Sequence, residues 1–242
     1  MTATWRTFGG RWRQGYENLV VRVIGEILPL AVGIAISPVP IIAAILMLLS
    51  PKAKTTSVGF LLGWLAGIVI AIVLFTLLSS VLPQEDSSGS SPVAGVIKII
   101  LGALLLFLAV QQWRGRPAEG EQAAMPKWMS AIDSMTAAKG LGLGFLLSAV
   151  NPKNLLMAIS AGLIIGGANL SLGDTTVVIV VFVLLAGCTV LVPVIGYLIA
   201  SARMAGPLDS LRGWLVDNNA TIMAVLLLLI GVSVIGKGIA SF

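Results

Sequence analysis

Near the centre of the fourth apolar run of this chain stands Asn151-Pro152-Lys153-Asn154, with no acidic residue within two helical turns of the lysine. A central lysine costs about 2.5–3.5 kcal/mol on insertion scales, so it needs water, carbonyl oxygens or a ligand anion around it. Snorkelling is the ordinary alternative, but from mid-span the stem must climb about half of the membrane. Asn151, Asn154 and Ser148 offer donors and acceptors on the same run, and Ser37 offers another from the first run. Proline removes a backbone donor and clashes with the carbonyl four residues earlier, so Pro38, Pro40 and Pro152 release the carbonyls of Ile34, Ile36 and Ser148. Interrupted helices at membrane depth are tolerated where they line a cavity or are buried in protein, and paired interruptions point to a transporter's binding site. The expectation is a polar site made of Ser37, Pro38, Pro40, Ser148, Asn151, Pro152, Lys153 and Asn154.

The chain has no His, and no Asp or Glu lies near the middle of any apolar run. Cation exchangers and proton relays place titratable groups at that depth. An anionic or zwitterionic ligand fits the lone lysine better. Cys188 is the one cysteine, which excludes a disulfide framework and a CxxC pair. The sequence has no phosphate-cradling glycine loop, no nucleophile beside a base and no metal-ligand cluster, so neither an enzyme, a cofactor nor a metal is expected. The formal charge of +5 comes from Lys and Arg set between apolar runs, where they fix topology and meet anionic lipid. Nucleic acid is not an expected partner; membrane lipids are.

These residues must be held by elements that cross a bilayer. Of 242 residues, 57% are hydrophobic and 10% charged, against about a quarter charged in soluble domains. About 20 helical residues cross roughly 30 Å of hydrocarbon. Runs of that length fall at 28–49, 58–82, 93–113, 141–167, 175–201 and 220–240. The expected fold is an all-α integral membrane protein with six transmembrane helices as two inverted three-helix repeats. The units are an N-terminal arm (1–26), a first repeat (27–113), a central cytoplasmic loop (114–139) and a second repeat (140–242). Support for the repeat comes from Gly33 to Ser37-Pro38 in the first run and Gly144 to Asn151-Pro152 in the fourth. Trp5, Phe8, Trp12, Tyr16, Leu19 and Val23, interleaved with Arg6, Arg11, Arg13 and Arg22, suit an amphipathic helix lying in the membrane interface.

Loops one, three and five carry Lys52, Lys54, Arg114, Arg116, Lys127, Lys139, Arg203 and Arg212, whereas loops two and four carry Glu85, Asp86 and Asp174. Odd loops are therefore expected in the cytoplasm, although the arginine-rich arm pulls the other way. Gly59, Gly63 and Gly67 form a small face suited to internal helix packing or to a homodimer. Lys98 and Lys237, near helix ends, read as snorkelling residues.

Leu30-Ala31-Val32-Gly33 through Ser37-Pro38-Val39-Pro40-Ile41-Ile42, and then Leu49-Ser50-Pro51-Lys52-Ala53, resemble the GAP family of actinobacterial glycopeptidolipid- and sulfolipid-addressing membrane proteins. The likeness continues in Phe60-Leu61-Leu62-Gly63-Trp64, Gln112-Trp113-Arg114-Gly115-Arg116-Pro117, Pro126-Lys127-Trp128-Met129 and Ser148 through Leu156, and covers nearly the whole chain after Glu26. That family resembles the LysE superfamily of exporters, for which Asn151-Pro152-Lys153 is the most specific match. The resemblance implies export or translocation from the cytoplasmic membrane, with polar lipids or glycolipids as associated cargo. The paired helix cysteines of electron-transferring relatives and the acidic motifs of cation-exchanging ones are absent. Three readings follow: a lipid or glycolipid translocator, an exporter of an amino acid or other small zwitterionic or anionic solute, and an accessory subunit of a larger lipid-export machinery. A lateral opening toward lipid would favour the first; lack of any path to Lys153 would favour the third.

Overall fold

A computed structural model describes residues 5–79, 92–116 and 135–242, and all regular structure in them is helical. The helices are α1 (Trp5–Ala35), α2 (Pro38–Leu48), α3 (Ala53–Ser79), α4 (Pro92–Arg114), α5 (Ala137–Ala149) and α6 (Pro152–Gly167). After these come α7 (Leu172–Ser201) and α8 (Arg203–Ile239), which meet at Ala200, whose backbone is non-helical. Most of the central polar stretch 114–139, including Glu121, and the loop with Glu85, Asp86 and Ser88 lie outside the described residues.

α3, most of α4, α7 and α8 are each long and apolar enough to cross a membrane alone. Two further stretches qualify only as bent pairs: 19–35 with α2, at 51°, and α5 with α6, at 61°. The protein is a multi-pass membrane protein, with four candidate spans among the described residues, or up to six if each bent pair crosses once. Two boundaries differ from expectation. The backbone of the arm is continuous with the first span in a single helix. The polar stretch 203–219, read as a loop, is helical and opens α8. It buries Leu208 and Leu215, seven apart on one face, and closes an Arg212–Asp209 pair at 2.9 Å beside them.

The bends are helix ends rather than kinks. Ser37 and Asn151 have extended backbone, and each is followed by proline at the first position of a new helix. There the ring's fixed φ suits the helix start and the missing N–H costs nothing. The sequence therefore stops α1 and α5 and restarts α2 and α6 inside two otherwise continuous apolar runs.

Close backbone approach sets the packing. A Cβ on Gly63 would strike the carbonyl oxygen of Leu141, and one on Gly144 the carbonyl oxygen of Phe60. Gly59 lies against Ala137 and Gly67 against Ser148, so α3 and α5 run parallel with the small face of α3 turned inward. Farther on, Gly162 meets Phe75 and Gly166 meets Ser79, so α5 and α6 together follow most of the length of α3. α4 and α8 pack antiparallel through Gly95 against Gly238 and Gly102 against Gly231. Between these pairs lie two fully buried stripes at helical spacing: Phe60, Trp64, Ile68 and Ile72 on α3, and Val178, Phe182, Ala186, Val190 and Val194 on α7. Leu62, Ile70 and Leu77 on the other side of α3 are exposed, as expected of a lipid-facing surface.

Candidate functional site

The site begins with carbonyls that the two helix ends release. In α1 the amide of Ile36 donates to Val32 O (2.9 Å) and that of Ser37 to Ile34 O (3.2 Å). The carbonyls of Gly33 and Ala35 instead accept from side chains. Lys153 Nζ donates to Gly33 O at 2.8 Å, and Thr189 Oγ1 to Ala35 O at 2.5 Å. In α5, Val150 N donates to Leu146 O and Asn154 Nδ2 to Leu147 O, at 3.0 and 2.9 Å. Asn151 caps α6 by accepting from Lys153 N at 3.0 Å. A lysine from the second half of the chain thus closes the C-terminal end of the first helix, where the helix dipole favours a cation.

Lys153 is 5% exposed and Asn154 1%. The carboxamide oxygen of Asn154 is buried without a hydrogen-bond partner, as is Trp64 Nε1 on α3. A buried acceptor left unpaired costs about 1–3 kcal/mol, so Asn154 presents an unmet demand for a donor beside Lys153.

The structure brings Lys153, Asn151, Pro152 and Asn154 together at one break, with Ser37, Pro38 and Pro40 at the other. It revises which carbonyls matter. Ile34 O, expected to be free, accepts Ser37 N, while Gly33, Ala35 and Leu147 supply the oxygens that side chains reach. The expectation counted only the carbonyl four residues before each proline, whereas a terminated helix releases its whole last turn of carbonyls. Ser37 is buried but makes no capping bond with its side chain. Ser148 is buried too, and its hydroxyl bonds back to Gly144 O and Phe145 O, both at 3.0 Å, within α5. Pro152 is exposed, while Pro38 and Pro40 are buried. Sequence reasoning missed Thr189; its signal was a hydroxyl four residues before Pro193 in an otherwise apolar run.

A second polar region lies at one end of the bundle. Arg22, Glu26 and Leu30 of α1, Lys98 of α4, Ser160 of α6 and Lys237 of α8 line a cavity of about 300 Å³. Lys98 Nζ donates to Ser241 Oγ and Lys237 Nζ to Glu26 O, each at 3.0 Å, while Arg22 pairs with the Glu26 carboxylate at 3.0 Å. Lys98 and Lys237 therefore converge on a cavity instead of simply snorkelling apart. The signal was available: Gly95 to Gly102 and Gly231 to Gly238 have the same seven-residue spacing, and pairing them antiparallel joins the two lysines.

Residues 27–240 match the protein family described as Sap, sulfolipid-1-addressing protein. The chain belongs to this family. The match takes in the sulfolipid-1-addressing family member's two helix breaks, Lys153, Thr189, Lys98 and Lys237, and begins immediately after Glu26. No curated protein and no solved structure matches the chain.

Proposed function

We propose that this protein translocates a polar lipid or glycolipid across the cytoplasmic membrane, with a substrate site at the two helix breaks. The bond from Lys153 Nζ to Gly33 O carries the reading, because it joins the breaks of the two halves at one buried point. Discontinuous helices with such polar groups at mid-depth are the usual construction of transporter sites built from repeated halves. The family's printed description supports a sulfolipid-related cargo. The motif Asn151-Pro152-Lys153 adds a resemblance to LysE-type exporters. In this reading the Lys153–Gly33 contact is the resting state; an anionic group competes for Lys153, and Asn154 Oδ1 accepts a hydrogen bond from a hydroxyl of the cargo.

The same reading takes each bent pair as one span. It gives six spans in two inverted repeats. The parallel course of α3 with α5–α6 and the antiparallel course of α4 with α8 agree with strict alternation of six spans. Cysteines introduced singly at Ser88 and at Glu121, in a background lacking Cys188, are expected to label from opposite sides of the membrane. Labelling from the same side overturns the three-plus-three arrangement; labelling of Ser88 from the cytoplasm reverses only the orientation.

A buried Lys–Asn pair of this size also suits a small zwitterion, which favours the amino-acid exporter as a second reading. Proteoliposomes holding the purified chain separate the cases. Movement of a labelled anionic glycolipid between leaflets, with no efflux of amino acids, supports the lipid reading, and the converse supports the second. Movement of neither supports an accessory subunit. Because mid-span carboxylates and His are absent, transport should persist when the pH gradient alone is dissipated. Collapse under that single change would require a proton carrier that this reading lacks.

A further inference from the structure

We propose that the break between α5 and α6 is a lateral mouth of the Lys153 site, where a lipid with a hydroxyl-bearing head group enters from the bilayer and donates hydrogen bonds to Ser148 O, Ala149 O and Asn154 Oδ1. A helix end leaves its last four carbonyls without intrahelical donors, and the two breaks meet that demand unequally. In α1 all four are met: Val32 O by Ile36 N, Gly33 O by Lys153 Nζ, Ile34 O by Ser37 N and Ala35 O by Thr189 Oγ1. In α5 two are met, Leu146 O by Val150 N and Leu147 O by Asn154 Nδ2. The usual donor to Ser148 O would be the amide of residue 152, which is proline and has no hydrogen there. The usual donor to Ala149 O would be Lys153 N, which donates to Asn151 Oδ1 instead. No other donor among the described residues is bonded to either oxygen.

The open acceptors lie where lipid can reach them. Val150 is 59% exposed and Leu146 54%, Pro152 is exposed, and Ala149 and Asn151 are half-buried. At the first break Ile36 is exposed, but it stands between buried Ala35 and Ser37. α5 has 13 residues and α6 has 16, so under the transport reading above, on which this inference rests, the mouth opens near mid-membrane. Irregular backbone facing hydrocarbon is costly unless its polar groups are satisfied, so this face needs a visiting donor.

The acceptors select the donor. Asn154 Oδ1, buried and unpartnered, belongs to the carboxamide whose nitrogen meets Leu147 O, so it adds a third oxygen to the same break. Lys153, buried in the first turn of α6, disfavours a second cation beside it, which leaves neutral hydroxyls as the donors that fit. The rim of Leu146, Val150 and Pro152 is apolar and suits acyl chains rather than a free sugar. The occupant is therefore a lipid whose head group carries hydroxyls together with an anionic group for Lys153.

The test uses the full chain, with lipid retention in detergent read by native mass spectrometry. Phosphatidylglycerol should be retained over phosphatidylpropanol, which has the same charge and nearly the same size but no head-group hydroxyl, by about three- to tenfold. Pro152→Ala supplies an amide for Ser148 O and should lower that preference with the melting temperature unchanged or raised. Equal retention of the two lipids by the native chain, or an unchanged preference in Pro152→Ala, overturns the mouth. A spin label at Val150→Cys, in a background lacking Cys188 and in phosphatidylglycerol bilayers, tests access without touching the acceptors. Greater collision with oxygen than with a water-soluble nickel chelate supports a lipid-facing mouth. The reverse order means a water-filled vestibule, and protection from both means cover by a second copy or another protein; either overturns lateral entry. The transport reading fails separately, when Lys153→Met exports normally. Both lipids carry the anion, so Lys153→Met should weaken their retention equally and keep the hydroxyl preference, which supports the mouth whatever becomes of export. Loss of the preference in that variant places the hydroxyls at Lys153 and overturns it.

Discussion

Lys153→Met is expected to abolish export of an anionic cargo while the folded protein reaches the membrane in near-normal amount. Two opposing effects keep its stability close to native. Methionine keeps most of the stem volume and removes a buried cation, whose insertion cost is about 2.5–3.5 kcal/mol. It also leaves Gly33 O without its donor, a loss of about 1–3 kcal/mol for a buried acceptor. These nearly cancel, so abundance should change little. Function has no such compensation, because the buried charged group that joins the two halves would be gone. Lys153→Arg should keep part of the activity, since the charge survives while the planar fork reaches Gly33 O in a different geometry. The measurement is export per unit of folded protein. Normal export by Lys153→Met at normal abundance would reduce Lys153 to a structural clasp between α1 and α6 and remove the proposed site.

A larger effect on folding is expected at the seam between α3 and α5. Adding a methyl group by Gly63→Ala forces it onto the Leu141 carbonyl oxygen, part of a helix backbone that cannot rotate away as a side chain would. Overpacking of this kind costs about 1–3 kcal/mol, and Gly63→Leu should exceed that by prising α3 from α5. The same holds for Gly144→Ala against Phe60 O. Gly142 is the control: it is in the same helix as Gly144 but has open space around its missing side chain, so Gly142→Ala should be neutral or slightly stabilising. Thermal melting of the solubilised protein checks this. Gly63→Leu melting with the native chain would contradict the described seam. A change in oligomer size with the monomer fold intact would mean that the glycine face serves a homodimer.

The placement of both helix breaks was legible because proline acts locally. Ser37-Pro38 and Asn151-Pro152 restrict the backbone before and at the proline whatever surrounds them. The arrangement of partners was not legible in the same way. Lys153 was identifiable as a buried cation in need of oxygen ligands, yet nothing in its neighbours names Gly33, 120 residues away, as the ligand. Ser148 and Asn154 looked equivalent as polar groups near it, but the hydroxyl of Ser148 turns back onto its own helix, while Asn154 crosses the break. Which of two nearby side chains serves the site depends on the direction in which each leaves its helix, fixed only when α5 and α6 part at 61°.

By itself the sequence determined a membrane protein of apolar helices, two interrupted spans, a lone central lysine and the family's motifs, because length, apolarity and proline chemistry act within a few residues. Only the tertiary structure decided which faces meet. Helices apolar on every side carry no moment that marks an inner face, so Phe60 and Leu62 look alike in sequence although one is fully buried and the other is 55% exposed. Close backbone approach at glycine, not hydrophobicity, makes that choice. The approach brings α3 onto α5, α4 onto α8, and Lys98 beside Lys237 at one end of the bundle.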